Sequence, residues 1–148
     1  WTQKEFRNLH ALHQAHIHVP FPLTFRNNVI VMDYLPGSML KDTVLEEPEW
    51  FFSVLEEQLL LMHRDAQLIH GDLSAYNIMV VDGLPYIIDV GQTMAFRHEG
   101  DFSELSDLFE RDVRTIVEHF TKRYGLEITE EALRKRIAPF SEEHEDDE

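Results

Sequence analysis

Leu68-Ile-His-Gly-Asp-Leu-Ser-Ala-Tyr-Asn77, followed by Tyr86-Ile-Ile-Asp-Val-Gly-Gln92, is the stretch on which the reading of this chain turns. Ile78 to Val81 is a short apolar run, Asp82-Gly83 is a strong hairpin-turn pair, and Pro85 to Val90 is apolar again. The pattern predicts a small hairpin, 75–81 with 86–90, with Asp89 at its far end. Asp72 and Asn77 stand five residues apart in an irregular loop before the first strand. Closing the hairpin brings that loop to Asp89, so three oxygen-bearing side chains are expected to converge.

Phosphoryl transfer needs such a set. Magnesium prefers hard oxygen ligands and keeps several waters. One carboxylate and one amide carbonyl hold it without over-neutralising it, and a separate carboxylate must face the acceptor hydroxyl. The loop His-x-Asp-x-x-x-x-Asn with a later Asp-x-Gly matches the protein-kinase catalytic pattern in spacing and in context. On this mapping Asp72 orients or deprotonates the acceptor, Asn77 binds Mg2+ (or Mn2+), and Asp89 bridges the metal to the phosphates of ATP.

Working outward, Thr2 to His16 reads as a helix with Phe6, Leu9, Leu12 and His13 at helical spacing. Pro20 and Pro22 end it. Leu23 to Arg26 and Val29 to Tyr34 read as strands around a turn at Asn27-Asn28, and Pro36-Gly37 marks another turn. Pro48 opens a long helix running to Gln67, with Trp50, Phe51, Val54, Leu55, Leu59 and Met62 as its buried stripe. Leu105 to Tyr124 reads as a second long helix stopped by Gly125. Thr129 caps a last short one with Ala132, Leu133 and Ile137 on one face.

At 43% apolar and 28% charged residues, 148 residues suffice for one folded domain with a core. No apolar run approaches membrane-spanning length and no secretory signal pattern opens the chain. The absence of Cys rules out disulfides and thiolate metal sites. A cytoplasmic location is the expectation. The net charge of −15, with six acids in the last eight residues, argues against broad nucleic-acid binding by charge alone. That terminal run, 141–148, reads as a solvated acidic tail. Because the chain opens on Trp1 inside a helix, a preceding segment is expected.

Trp1-Thr-Gln-Lys-Glu-Phe-Arg-Asn-Leu9, Val19-Pro-Phe-Pro22, Asn28-Val-Ile-Val-Met-Asp-Tyr-Leu35, the two motifs above and Glu110-Arg-Asp-Val113 together resemble the RIO-type atypical serine/threonine protein kinases, in particular their first, archaeal-like subfamily. The resemblance covers nearly the whole chain except the acidic tail. It implies an α+β, protein-kinase-like fold: 1–35 a remnant of the N-lobe with helix C, two strands and the hinge, and 36–140 the C-lobe. It implies that Glu5 is the helix-C glutamate, that Met32 is at the gatekeeper position, and that Asp33 and Leu35 offer backbone groups to adenine. It also implies an aspartyl-phosphate at the position of Asp89, and a role in small-subunit maturation with pre-ribosomal particles or their assembly proteins as partners.

Gly71 stands where kinases commonly carry an arginine before the catalytic aspartate, and little room follows Gly91 for an activation segment; both fit RIO enzymes. No Gly-rich loop and no strand lysine is present, so this chain by itself is expected to be nearly inactive. Each assignment has a plainer counterpart. Glu5 is otherwise a solvated charge, Met32 plain core, Ser74 a turn former, and Arg111-Asp112 a surface pair rather than a tie to the catalytic loop. His10, His13 and His16 fan too widely for a metal site, and His70 reads as a support for the loop. The rival functions are the kinase-like ATPase of the tRNA threonylcarbamoyl machinery, a non-catalytic pseudokinase module and, more remotely, a metallohydrolase. Gln92 and Arg111-Asp112 favour the RIO reading over the first of these.

Overall fold

Leu9 and Leu12 lie one turn apart and are both buried, which fixes the inner face of α1 (Thr2–Gln14). The helix closes through a left-handed residue. His16 takes φ 64°, its N–H donates to the His13 carbonyl at 3.0 Å, and the Ile17 N–H donates to the Leu12 carbonyl at 3.1 Å. The computed structural model describes residues 2–95 and 102–139. Trp1, part of the segment after Gly91 (96–101) and the acidic tail with the residue before it (140–148) lie outside the described residues.

β1 (Pro22–Arg26) and β2 (Val29–Met32) form the expected antiparallel hairpin, with Asn27 at φ 55° in its turn. β3 (Ser38–Met39) joins the edge of β5 (Ile78–Val81), which pairs with β6 (Leu84–Ile87) in the antiparallel order β3-β5-β6. β4 (Leu68–Ile69) and β7 (Met94–Ala95) form a second short ribbon. Gly37 allows the chain to pass close to β5, because a Cβ there would sit 2.2 Å from the Val80 carbonyl oxygen.

Three helices supply most of the core. α2 (Pro48–Arg64) buries Phe51, Phe52, Leu55, Leu59 and Met62. α3 (Phe102–Tyr124) buries Val113, Ile116 and Phe120 and is followed by Gly125 at φ 64°. α4 (Glu130–Ile137) buries Leu133 and Ile137, and the Thr129 hydroxyl caps it by accepting from the Ala132 N–H at 3.1 Å. Phe120 meets Phe52 edge-on at 5.2 Å, joining α3 to α2.

Several boundaries and faces differ from the sequence reading. The hairpin strands are shorter than expected, so Asp89 lies two residues past β6, at φ 58°. α2 stops at Arg64 rather than Gln67, which itself takes φ 55° to turn the chain into β4. Trp50 is not in the buried stripe but 49% exposed, one step off the arc of Phe51, Leu55, Leu59 and Met62; Phe52 is buried instead. His13 and Ala132 are likewise exposed.

His63, fully buried on α2, ties the helix to the end of α4 through Nδ1 and the Ile137 carbonyl at 2.6 Å. A carbonyl only accepts, so Nδ1 carries the proton and Nε2 is a bare lone pair without a partner. Protonating Nε2 would bury a charge beside nothing that accepts it. Burial accordingly lowers the His63 pKa from 6.5 to about 4, against the raising effect of the Ile137 carbonyl. Stability from the neutral ring is thus complete above the ordinary histidine pKa and is lost as pH falls from 6.5 towards 4. The gap corresponds to about 3 kcal/mol. Urea unfolding at pH 7 and at pH 4 should show His63→Leu losing roughly 3 kcal/mol less than the parent across that interval; equal losses would mean that His63 does not titrate on unfolding.

Candidate active site

The loop 70–77 has no ladder to satisfy its backbone, so side chains must do so. Asp112 on α3 does the most. Its Oδ2 accepts from the Gly71 N–H at 2.8 Å and its Oδ1 from the Leu73 N–H at 3.0 Å. Arg111 donates to the Gly71 carbonyl. Asp112 is 2% exposed. Burial raises its pKa, opposed by the bonds from Leu73 and Gly71. The Arg111-Asp112 pair therefore ties helix to loop, and is not a surface pair.

His70 is buried and bridges both halves of the motif. Its Nε2 donates to the Ile88 carbonyl at 3.1 Å, and its Nδ1 accepts from the Asp72 N–H at 3.2 Å. Both ring nitrogens are used, one within the loop and one on the backbone just before Asp89, as expected of a supporting histidine. Ser74 acts as a turn former, its Oγ accepting from the Tyr76 N–H at 3.1 Å. Gly71 takes φ 86° with its missing Cβ facing Leu108 at 3.3 Å, which explains why no arginine occupies this place.

Asn77 is 4% exposed; its Oδ1 accepts from the Ser74 N–H at 2.8 Å and its Nδ2 donates to the Asp72 carbonyl. Its own carbonyl accepts from the Ile88 N–H at 2.9 Å, just before Asp89. The Asp72 and Asp89 side chains are left exposed to solvent. The Gln92 amide lies between them, 3.4 Å from Asp72 Oδ2 and 3.3 Å from the Asp89 carbonyl oxygen. Asp72, Asn77 and Asp89 are thus gathered at one place.

α1 borders the same place. Burial raises the Glu5 pKa, and the negative charge of Asp89 raises it further. The negative charge of Asp89 thus reaches Glu5, and such a field suits a cation. One turn on, the Asn8 amide donates to the carbonyls of Val90 at 3.0 Å and Thr93 at 3.2 Å. In the sequence Asn8 reads only as part of the polar side of α1; its place on the Glu5 face, one turn away, is the signal that points to this role. Among the described residues no three His, Asp or Glu side chains, His10, His13 and His16 included, gather closely enough to hold an ion.

Met32 ends β2 and packs half-buried against the core. The Asp33 N–H donates to the Phe21 carbonyl at 2.9 Å and the Leu35 carbonyl accepts from the Gly37 N–H at 3.0 Å. The Asp33 carbonyl and the Leu35 N–H have no partner among the described residues. All four lysines are described, in α1, the single turn Leu40–Asp42, α3 and α4, and none stands in a strand. No described helix is long and apolar enough to cross a membrane.

Replacing Asp112 by Ala leaves two buried N–H groups without an acceptor, each costing about 1–3 kcal/mol. In chemical unfolding, Asp112→Ala should lose several kcal/mol and Asp112→Asn, which retains one acceptor, about half as much; a loss below about 1 kcal/mol for Ala would contradict this role.

Residues 1–133 match the family described as RIO domain. The chain is 32% identical over 138 residues to the RIO-type serine/threonine-protein kinase Rio1 of Haloferax volcanii, covering 90% of this chain and 46% of that protein. It is 30% identical over 142 residues to the Rio1 of Thermoplasma acidophilum, covering 93% of this chain and 72% of that protein. A crystal structure of the Rio2 kinase-ADP/Mg2+-phosphoaspartate complex from Chaetomium thermophilum superposes with a TM-score of 0.73 at 23% identity, over 92% of this chain and 44% of that one. The protein-kinase-like, α+β fold is shared. The chain spans about half the length of the Haloferax relative, and less of several others.

Proposed function

The chain belongs to the RIO family, and from that premise we propose that it carries the catalytic loop and metal-binding loop of an ATP- and Mg2+-dependent enzyme that transfers a phosphoryl group to a serine or threonine hydroxyl, or to water. The single observation that carries this reading is the set of contacts that links Asp72, Asn77 and Asp89: Asn77 donates to the Asp72 carbonyl, and the Gln92 amide lies between the Asp72 carboxylate and the Asp89 carbonyl.

Asp72, exposed and anchored through its backbone, orients the acceptor hydroxyl and takes its proton as the oxygen bonds to phosphorus and the bond to the ADP oxygen breaks. Asn77 and Asp89 would hold Mg2+ (or Mn2+), which when bound neutralises charge on the phosphates. Fit to a cation is supported by the exposed Asp89 side chain, whose negative charge also reaches Glu5. Asn77 Oδ1 bonds one N–H and keeps a second lone pair. Glu5 would pair with a phosphate-binding cation. Met32 would border the adenine, and the open Asp33 carbonyl and Leu35 N–H would read its edge. In the Rio2 structure a phosphoaspartate accompanies ADP and Mg2+; Asp89 is the residue we assign to that role here.

In this reading 1–35 belong to the small lobe, 36–140 to the large lobe, and 141–148 form an acidic tail. We extend it, by family, to small ribosomal subunit maturation in the cytoplasm, with pre-ribosomal particles or their assembly proteins as partners. A second reading, a module with little turnover of its own, is favoured by one observation: the lack of a strand lysine in these 148 residues.

In nucleotide titrations and phosphate-release assays, Asp89→Ala should abolish Mg2+-dependent ATP binding. Asp72→Asn should keep binding but lower kcat by roughly 100-fold or more. Unchanged magnesium dependence in Asp89→Ala would end the assignment, and the 148-residue chain alone should turn over far more slowly than a longer form bearing a strand lysine.

A further inference from the structure

Away from the catalytic loop, a groove of about 370 Å3 opens between the segment 43–47, the start of α2 and the β5–β6 hairpin. Leu45, Phe51 and Val80 line it, with Val44 and Trp50 at its edge, 75% and 49% exposed. The segment is held in place. Thr43 Oγ1 donates to the Met39 carbonyl at 2.8 Å, and the Leu45 N–H donates to the Tyr124 hydroxyl at 2.9 Å. That hydroxyl in turn donates to the Thr43 carbonyl at 3.3 Å. Val44 is thus presented to water by a segment tied to both β3 and α3, and Trp50 by the first turn of α2, which costs free energy unless something covers them.

Glu46 and Glu47 complete the lining, and both are exposed. Among the described residues neither has an ion-pair partner, and no Lys or Arg lines the groove. The groove is of a size for leucine-like side chains rather than for a folded surface.

We propose that this groove is a docking site for a linear segment of a partner protein that combines arginine or lysine with closely spaced aliphatic side chains. The aliphatic groups cover Val44 and Trp50 and enter the floor formed by Leu45, Phe51 and Val80. The cations face Glu46 and Glu47. Charge complementarity selects this occupant over an acidic one, since an anionic segment would meet both glutamates and a chain of net charge −15. The site is independent of the phosphotransfer chemistry, as none of its lining residues belongs to the catalytic or metal-binding loops.

Fluorescence anisotropy of a labelled Arg-Arg-Arg-Ala-Leu-Ala-Leu peptide on the full-length protein tests it. Saturable binding is expected, weakened about tenfold by the double variant Glu46→Lys/Glu47→Lys and by Trp50→Ala. The same charge reversal at the distant, exposed Glu127 and Glu131 should have little effect. Peptides with glutamate for arginine, or serine for leucine, should bind far more weakly. No saturable binding, or equal weakening by both pairs of reversals, would overturn the proposal; so would cover of the groove by another part of the same protein, read as protection of Trp50 from acrylamide quenching before any peptide is added.

Discussion

One buried carboxylate organises the rest. Asp112 reaches from α3 to accept the N–H groups of both Gly71 and Leu73, the residues that flank Asp72. A loop without ladder partners would otherwise leave these donors buried and unpaired. Because Asp112 holds the backbone on both sides, the Asp72 side chain is free to face solvent while its main chain is fixed. His70, Asn77 and Ser74 complete the arrangement by accepting the N–H groups of Asp72, Ser74 and Tyr76. The cost to Asp112 is desolvation, seen in its raised pKa, and the two backbone donors offset part of it.

From that fixed loop the organisation passes to the second acid. His70 bonds the Ile88 carbonyl and Asn77 the Ile88 N–H, so the position of Asp89 is set from both sides of the preceding residue. Asn8 then secures the chain beyond Asp89 to α1. The helix that carries Glu5 is in this way registered by hydrogen bonds against the segment that follows Asp89. Glu5 thereby comes within the field of Asp89, which together with burial raises its pKa.

The outer groove follows a different logic. Val44 is exposed on a segment, 43–47, that is held by Tyr124 and Met39 and is not loose, and Trp50 beside it stands on the rigid first turn of α2. Rigid presentation lowers the entropy the groove itself would lose when a partner binds.

Local chemistry made much of this legible in the sequence. Asp82-Gly83 dictated the hairpin turn, Gly125 ended α3, and Thr129 capped α4, since each depends on the conformational preference or hydrogen-bonding reach of one residue. The spacing of Asp72, Asn77 and Asp89 was enough to suggest that they meet. What remained hidden depends on groups distant in sequence. Whether Asp112 bonds the loop or faces water, which side of α2 is buried at Trp50, and what Asn8 holds are all decided by packing between elements. Residue periodicity states that a helix has an inner face; only the tertiary structure, by bringing the Asp112 carboxylate within hydrogen-bond reach of N–H groups some forty positions away, decides which residues occupy it and why.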